Sequence, residues 1–191
     1  MSNILLCGVG GQGTVLASKL IAFAAMEKGQ KIRTSETIGM SQRGGCVVSH
    51  VRTGEEIASP MVPKGGADVL IAFEPGEAVR NLSYLKKEGV VIVNKKAVKP
   101  VTASLTGSDY DGSEMLEYLK VNVPGVCVID GEEICKKCGS AKVLNIALLA
   151  AAAKSGQLGI TTDELKNAII KRIPERFHEL NLKAVALASG E

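Results

Sequence analysis

The chain has 191 residues, 46% apolar and 23% charged, with a net charge of +3. That length suits one domain with a substantial core, and so weak a positive balance gives no ground for binding nucleic acid or an anionic membrane. Aromatic residues make up 3% with no tryptophan, so the core is expected to be aliphatic and the stacking platforms of single-strand nucleic-acid binders are missing.

In chain order, residues 3–7 read as a short buried strand and Gly8 to Gly13 as a glycine-rich turn. Residues 14–28 follow as a helix, with Leu16, Leu20 and Phe23 at helical spacing and Gly29 as its stop. Strands are predicted over 31–38 and, beyond a polar glycine loop, over 46–52. A strand over 68–73 ends at Glu74-Pro75, and a helix is predicted from there to about Lys87, with Ala78, Leu82 and Leu85 on one face and Gly89 closing it. The β-branched run 90–93 is the signature of a strand covered on both faces. Residues 95–112 are the least regular, a loop with one strand near Ala103. A short helix over 113–120 precedes the last strand, 126–129.

From Ser140 the chain reads as helical. Thr161 and Glu164 have capping-box spacing, Pro174 punctuates, and a final amphipathic helix carries Phe177, Leu180, Ala184 and Leu187. Strands alternating with helices through short turns predict an α/β fold: a Rossmann-like, mostly parallel sheet with helices on both faces and a helical C-terminal segment over about 140–191. The whole of 1–191 is expected to be one domain. No stretch approaches the roughly 20 apolar residues of a membrane span, and the apolar start is too short for a secretory signal. The five cysteines are odd in number and three lie in strand-like runs, so reduced thiols in a cytoplasmic protein are expected.

Gly8-Val9-Gly10-Gly11-Gln12-Gly13 fits the G-x-G-x-x-G pattern after a strand and at the mouth of a helix. In that position the glycines allow a tight turn, close backbone approach and close helix–sheet packing, and the helix N-terminus attracts an anion. Gly8, Gly10, Gly11, Gln12 and Gly13 are therefore candidate ligand-binding residues, and the alternative is that the glycines serve packing alone. A dinucleotide site would also need an acid at the end of the second strand. Glu36 is roughly placed for that, but it belongs to a second patterned segment.

That segment is Glu36-Thr37-Ile38-Gly39-Met40-Ser41-Gln42-Arg43-Gly44-Gly45, followed by Val47-Val48-Ser49-His50-Val51-Arg52. Gln42, Arg43 and Gly44 join the candidate site, because a guanidinium grips phosphate or carboxylate as a planar fork. An Arg–Glu pair pinning the loop is the plainer alternative.

Together the two segments resemble the gamma-type subunit or domain of the pyruvate/2-oxoacid:ferredoxin oxidoreductases, and most of all the small subunit of the indolepyruvate enzymes. Ser59-Pro60, Ala67-Asp68, Phe73-Glu74-Pro75, Glu77-Ala78, Val91-Ile92-Val93-Asn94, Asn145, Ile173-Pro174-Glu175-Arg176-Phe177 and Asn181-Leu182-Lys183-Ala184 extend the resemblance to nearly the whole chain. It implies a share in the oxidative decarboxylation of a 2-oxoacid, an arylpyruvate, to an acyl-CoA with reduction of ferredoxin. It also implies thiamine diphosphate, magnesium and iron–sulfur clusters, and the chain has neither the Gly-Asp-Gly run for the diphosphate nor a cluster-binding cysteine run. Those cofactors are expected on a large catalytic partner subunit. This chain is expected to hold no tight cofactor, metal or catalytic residue, with coenzyme A as a possible ligand.

Cys135-Lys136-Lys137-Cys138 lacks further ligands for a metal and the strand–helix context of a redox pair, so a structural role is expected. His50, within a strand, is expected to be a partnered structural histidine. Two other functions stay open, a free-standing NAD(P)-dependent enzyme and a purely structural interaction module.

Overall fold

The protein is described by a computed structural model, which covers residues 1–37, 44–99 and 109–190. Six strands form one sheet: β1 (Ser2–Val9), β2 (Ile32–Glu36), β3 (Cys46–Thr53), β4 (Ala67–Ala72), β5 (Leu85–Asn94) and β6 (Gly125–Ile129). Their order is β2-β3-β1-β4-β5-β6. Pairing is parallel from β1 through β4 and β5 to β6, while β3 runs antiparallel to both β1 and β2. The mostly parallel α/β sheet expected from the alternation of elements is borne out. The inner strands are apolar throughout because helices cover both faces.

Seven α-helices lie among the described residues. On one face α1 (Thr14–Glu27) packs with α5 (Leu144–Lys154), α6 (Thr162–Arg172) and α7 (His178–Ser189) over Ile4, Leu6, Val69, Ile71 and Ile92. On the other, α2 (Pro75–Arg80) and α3 (Ser113–Asn122) cover Leu5, Leu70, Val91 and Val93. The remaining helix, α4 (Gly131–Cys138), follows β6 and is capped by the Asp130 carboxylate on the Glu133 N–H. The Ala-rich run of the C-terminal segment is α5, buried from Asn145 to Ala153. Its methyl-sized side chains let α1, α6 and α7 close around it.

Three expectations change in the structure. The α1 face toward the core is Ala17, Leu20, Ile21 and Ala24, whereas Leu16 is 44% exposed and Phe23 is half-buried. The helix expected to run to Lys87 stops at Arg80, where the Asn81 side-chain amide turns back onto the Glu77 carbonyl (2.9 Å). A 3-10 turn follows, and Leu85 already pairs with Ala67 across a register shift. Gly89 lies in that shift, so close to the Leu85 side chain and the Ala67 carbonyl that a Cβ would collide with both. The last helix buries Asn181, Ala184 and Val185 and leaves Leu187 38% exposed, while Phe177 belongs to the 3-10 turn before it. The strand expected near Ala103 lies outside the described residues. The capping box is present, with Thr161 and Glu164 each accepting the other's backbone N–H.

His50 is buried in β3, its Nδ1 accepts the Val62 N–H (3.2 Å), and its ring meets Tyr84 edge-on. This is a structural histidine, and burial lowers its pKa below the usual value. The unfolded chain therefore binds a proton that the folded one refuses, and stability is lost as pH falls below about 6.5 toward the depressed folded pKa. Urea denaturation at pH 7 and pH 5 is expected to show that loss, and His50→Gln to shrink it.

Candidate functional site

The helices change sides between β1 and β4. After β1 the chain enters α1 on one face, and after β4 it enters α2 on the other, so the carboxyl ends of these neighbouring strands diverge into a crevice. Ligands of open α/β sheets bind at such switch points.

The crevice is laced by side-chain amides. Gln12 accepts the Val9 N–H on its Oε1 (2.7 Å) and donates from Nε2 to the Phe73 carbonyl (3.1 Å). Asn94, at the end of β5, donates from Nδ2 to the same carbonyl (3.2 Å). One oxygen thus ties together the ends of β1, β4 and β5. Gly8 makes room for it: a Cβ there would lie 2.7 Å from Gln12 Oε1 and 2.8 Å from Phe73 Cβ. Gly13, at φ 87°, packs against the Asn145 side chain of α5, so the third glycine makes room for a second helix, whereas the motif predicts close packing of helix on sheet. Gly11, at φ 101°, is exposed with open space around it. The α1 N-terminus has neither a side-chain cap nor an acid in its first turn.

The second sequence segment arrives at the same place. Because β3 pairs with β1 in reverse, Val9 lies opposite Cys46, and the Gly10 N–H donates to the Gly45 carbonyl (2.9 Å). Gly44, at φ 81°, lines the crevice beside Val9. Gln42 and Arg43 lie outside the described residues. Of the candidate residues, Gly8, Gly10, Gly11, Gln12, Gly13 and Gly44 therefore share one sheet edge. Glu36 stands elsewhere: β3 intervenes between β2 and β1, about 10 Å in all. Its carboxylate accepts the Ser18 hydroxyl (2.8 Å). It does not sit where an acid grips a dinucleotide ribose.

Beyond Val9 the crevice opens into a cavity of about 560 Å³ with Cys46, Glu74, Glu77, Arg80, Lys99 and Tyr110 among its walls. Glu74 caps α2 through the Glu77 N–H (2.9 Å) and accepts the Tyr110 hydroxyl (2.6 Å). Burial and this carboxylate push the Tyr110 hydroxyl's pKa up. Glu77 is held by Arg80 (3.2 Å), and burial together with Glu77 pushes the Cys46 thiol up to about 12. Glu74 and Glu77 each have a partner, although the buried Oε2 of Glu77 accepts no hydrogen bond among the described residues, and the exposed charges at the mouth are Arg80 and Lys99. Asn94 and Glu74 entered the sequence reading as part of the family resemblance and not as site residues, and Tyr110 did not enter it. Glu74-Pro75 carries the signature of a cap followed by proline at N1, but Tyr110 comes from the irregular stretch and has no local signal.

All five cysteines are free. Cys135 and Cys138 lie half-buried on α4, where burial raises the Cys135 thiol's pKa. Among the described residues no group of three or more His, Cys, Asp or Glu side chains could hold a metal, and no helix is long and apolar enough to cross a membrane.

Three outcomes follow from this geometry. Gln12→Ala leaves the Val9 N–H and weakens the tie on Phe73, an expected loss of about 1–3 kcal/mol in urea denaturation. Gly8→Ala is expected to cost a similar amount through overpacking. The Cys46 thiol is expected to resist iodoacetamide through pH 9, since its thiolate forms only near the raised pKa, and mass spectrometry of the folded protein reads the labelling.

The chain matches the family model described as pyruvate ferredoxin/flavodoxin oxidoreductase over residues 3–191. It is 35% identical to indolepyruvate oxidoreductase subunit IorB of Thermococcus kodakarensis, over 97% of this chain and 93% of that one. The IorB of Archaeoglobus fulgidus is 36% identical over 99% of this chain and 94% of that one. The pyruvate/ketoisovalerate oxidoreductases' common subunit gamma of Pyrococcus abyssi is 28% identical over 96% and 93%. Among solved structures, the fold is shared with the keto/oxoacid ferredoxin oxidoreductase gamma subunit of Geobacter sulfurreducens (TM-score 0.70, 24% identity, covering 100% and 97%). It is shared too with the 2-oxoglutarate:ferredoxin oxidoreductase of Magnetococcus marinus (TM-score 0.74, 20% identity), where it covers 99% of this chain and 30% of that one. The glycine turn met by the Gly44-Gly45 segment, and the sheet that joins them, thus belong to a gamma-type member of the pyruvate ferredoxin/flavodoxin oxidoreductase family.

Proposed function

We propose that this chain is the accessory subunit of an indolepyruvate-type 2-oxoacid:ferredoxin oxidoreductase, in which a larger subunit carries thiamine diphosphate, magnesium and the iron–sulfur clusters. The observation that carries the reading is the 35–36% identity to IorB subunits along almost the whole chain, against 25–28% to the common gamma subunits. The reaction converts an arylpyruvate and coenzyme A to an arylacetyl-CoA and carbon dioxide, and ferredoxin takes the electrons. This subunit contributes a shaped anionic-ligand edge to the assembled enzyme.

That edge is the glycine turn with the segment that meets it: Gly8, Gly10, Gly11, Gln12, Gly13, Gln42, Arg43 and Gly44. Its residues fit a pyrophosphate-bearing ligand such as coenzyme A in three respects. The α1 N-terminus is uncapped. Gly11 is exposed at the turn with no side chain to block approach, and Lys99 places positive charge at the mouth of the adjoining cavity, beside the Arg80–Glu77 pair. Gly8 and Gln12 act by holding the edge in shape, since their neighbours already engage them. The Magnetococcus marinus enzyme was solved with coenzyme A bound, which accords with a ligand of this class in an enzyme of this fold. The position of Glu36 disfavours a free-standing NAD(P) enzyme.

Co-expression with the larger subunit is expected to yield coenzyme A-dependent reduction of an artificial acceptor, faster with indolepyruvate or phenylpyruvate than with pyruvate. Activity of the larger subunit alone that this chain leaves unchanged would sink the accessory role. Isothermal titration of the assembled enzyme with coenzyme A is expected to show at least tenfold weaker binding for Arg43→Ala, and equal affinity would remove Arg43 from the site.

A further inference from the structure

Several segments that carry the family resemblance play no part at the glycine turn or its crevice. Ile173-Pro174-Glu175-Arg176-Phe177 and Asn181 lie far along the chain from Asn145 and farther still from α1. The fold brings them together around one apolar pocket of about 410 Å³, walled by Leu16, Val143, Ile173, Pro174, Phe177 and Leu180. We propose that this pocket is the socket for an apolar side chain of the larger catalytic subunit, flanked on that subunit by carboxylates. The proposal rests on the accessory-subunit reading above and names the surface through which it works.

The pocket's outer wall is not used by the chain's own fold. The first turns of α1 bury Ala17, Leu20 and Ile21 and leave Leu16, a large aliphatic side chain, 44% exposed at the rim. The corner opposite is held in shape before any partner arrives. Pro174 fixes the chain between α6 and α7, His178 Nε2 bonds the Ile173 carbonyl (2.7 Å), and Asn181 Nδ2 donates to the Phe177 carbonyl (2.7 Å). A preformed apolar socket loses little conformational entropy when filled, and a buried anchor in such a pocket carries much of an interface's affinity.

Charge selects the kind of partner. The two charged residues lining the pocket, Lys142 and Arg172, are both cations. Arg172 stacks over the Phe23 ring at 5.1 Å, and among the described residues neither cation has a carboxylate partner. A basic rim around an apolar socket favours a segment with acids beside its apolar anchor, and disfavours a basic one. In the Magnetococcus marinus enzyme this fold amounts to 30% of one long chain. A separate chain of the same fold needs a surface that does noncovalently what the continuous polypeptide does there. The socket is well placed for it, because Asn145 lines the pocket and packs against Gly13 of the glycine turn. Docking here seats the larger subunit one residue away from the ligand edge.

The test uses the co-expressed two-subunit complex and the separate subunits. Biolayer interferometry between them is expected to show at least tenfold weaker binding for Leu16→Asp. The double reversal Lys142→Glu/Arg172→Glu is expected to weaken binding most at low salt, where repulsion from the partner's carboxylates is least screened. Val121→Asp, at a 75% exposed position on α3, is expected to leave affinity unchanged. Thermal melting of each isolated variant checks folding. If the wild-type subunits bind and Leu16→Asp binds equally well, the socket is overturned while the accessory role stands. If the wild-type subunits do not associate, the accessory role itself fails. If Leu16→Asp instead abolishes self-association in light scattering and spares the larger subunit, the occupant is a second copy and the proposal is overturned.

Discussion

The carbonyl oxygen of Phe73 is the point at which the working edge of this protein is held together. Parallel strands end without a hairpin to join them, so their carboxyl ends are free to splay unless something links them. Here two side-chain amides converge on one acceptor, Gln12 from the β1 turn and Asn94 from β5. Each such bond contributes only about 1 kcal/mol net, but leaving buried backbone groups without partners costs more than making the bond gains. The tie therefore acts as a constraint on shape: the turn, the start of α2 and the end of β5 are fastened to one oxygen.

From that constraint the rest of the edge follows. Gly8 is glycine because Gln12 and Phe73 occupy the space a methyl would need. Gly10 spends its N–H on Gly45, which fastens the second motif segment to the first. The turn is thus more engaged with its own protein than a free phosphate loop would be. What it offers outward is the uncapped α1 N-terminus and the open backbone at Gly11. This division between residues that shape the edge and residues that face a ligand cannot be read from a G-x-G-x-x-G pattern.

A second division runs between the two faces of the sheet. The α2–α3 face carries the cavity with Glu74, Glu77 and Tyr110, where Glu74 accepts the Tyr110 hydroxyl and Glu77 pairs with Arg80 through one oxygen only. The opposite face carries the C-terminal helices and, at their corner, an apolar pocket whose rim cations Lys142 and Arg172 have no carboxylate partner among the described residues. Asn145 against Gly13 joins this pocket to the glycine turn through one packed contact.

The sequence alone determined the local structure wherever a short-range physical rule governed it. Alternating apolar runs and the glycine turn located β1, α1, β4 and β6, and the Thr161–Glu164 capping box marked the start of α6. The combination of two motif segments was enough to identify the family. Tertiary structure decided what no local pattern encodes. The spacing of Leu16, Leu20 and Phe23 was helical, but which stripe faced the core depended on where α5 and α6 packed, and Leu16 ended outside. The helix expected to reach Lys87 gave way to strand pairing between Leu85 and Ala67, a contact long in sequence that overrides local propensity. Insertion of an antiparallel β3 beside β1 moved Glu36 away from the turn and brought Gly45 to it. Strand order is set by the burial of whole faces, which is why the residues were legible in the sequence and their meeting was not.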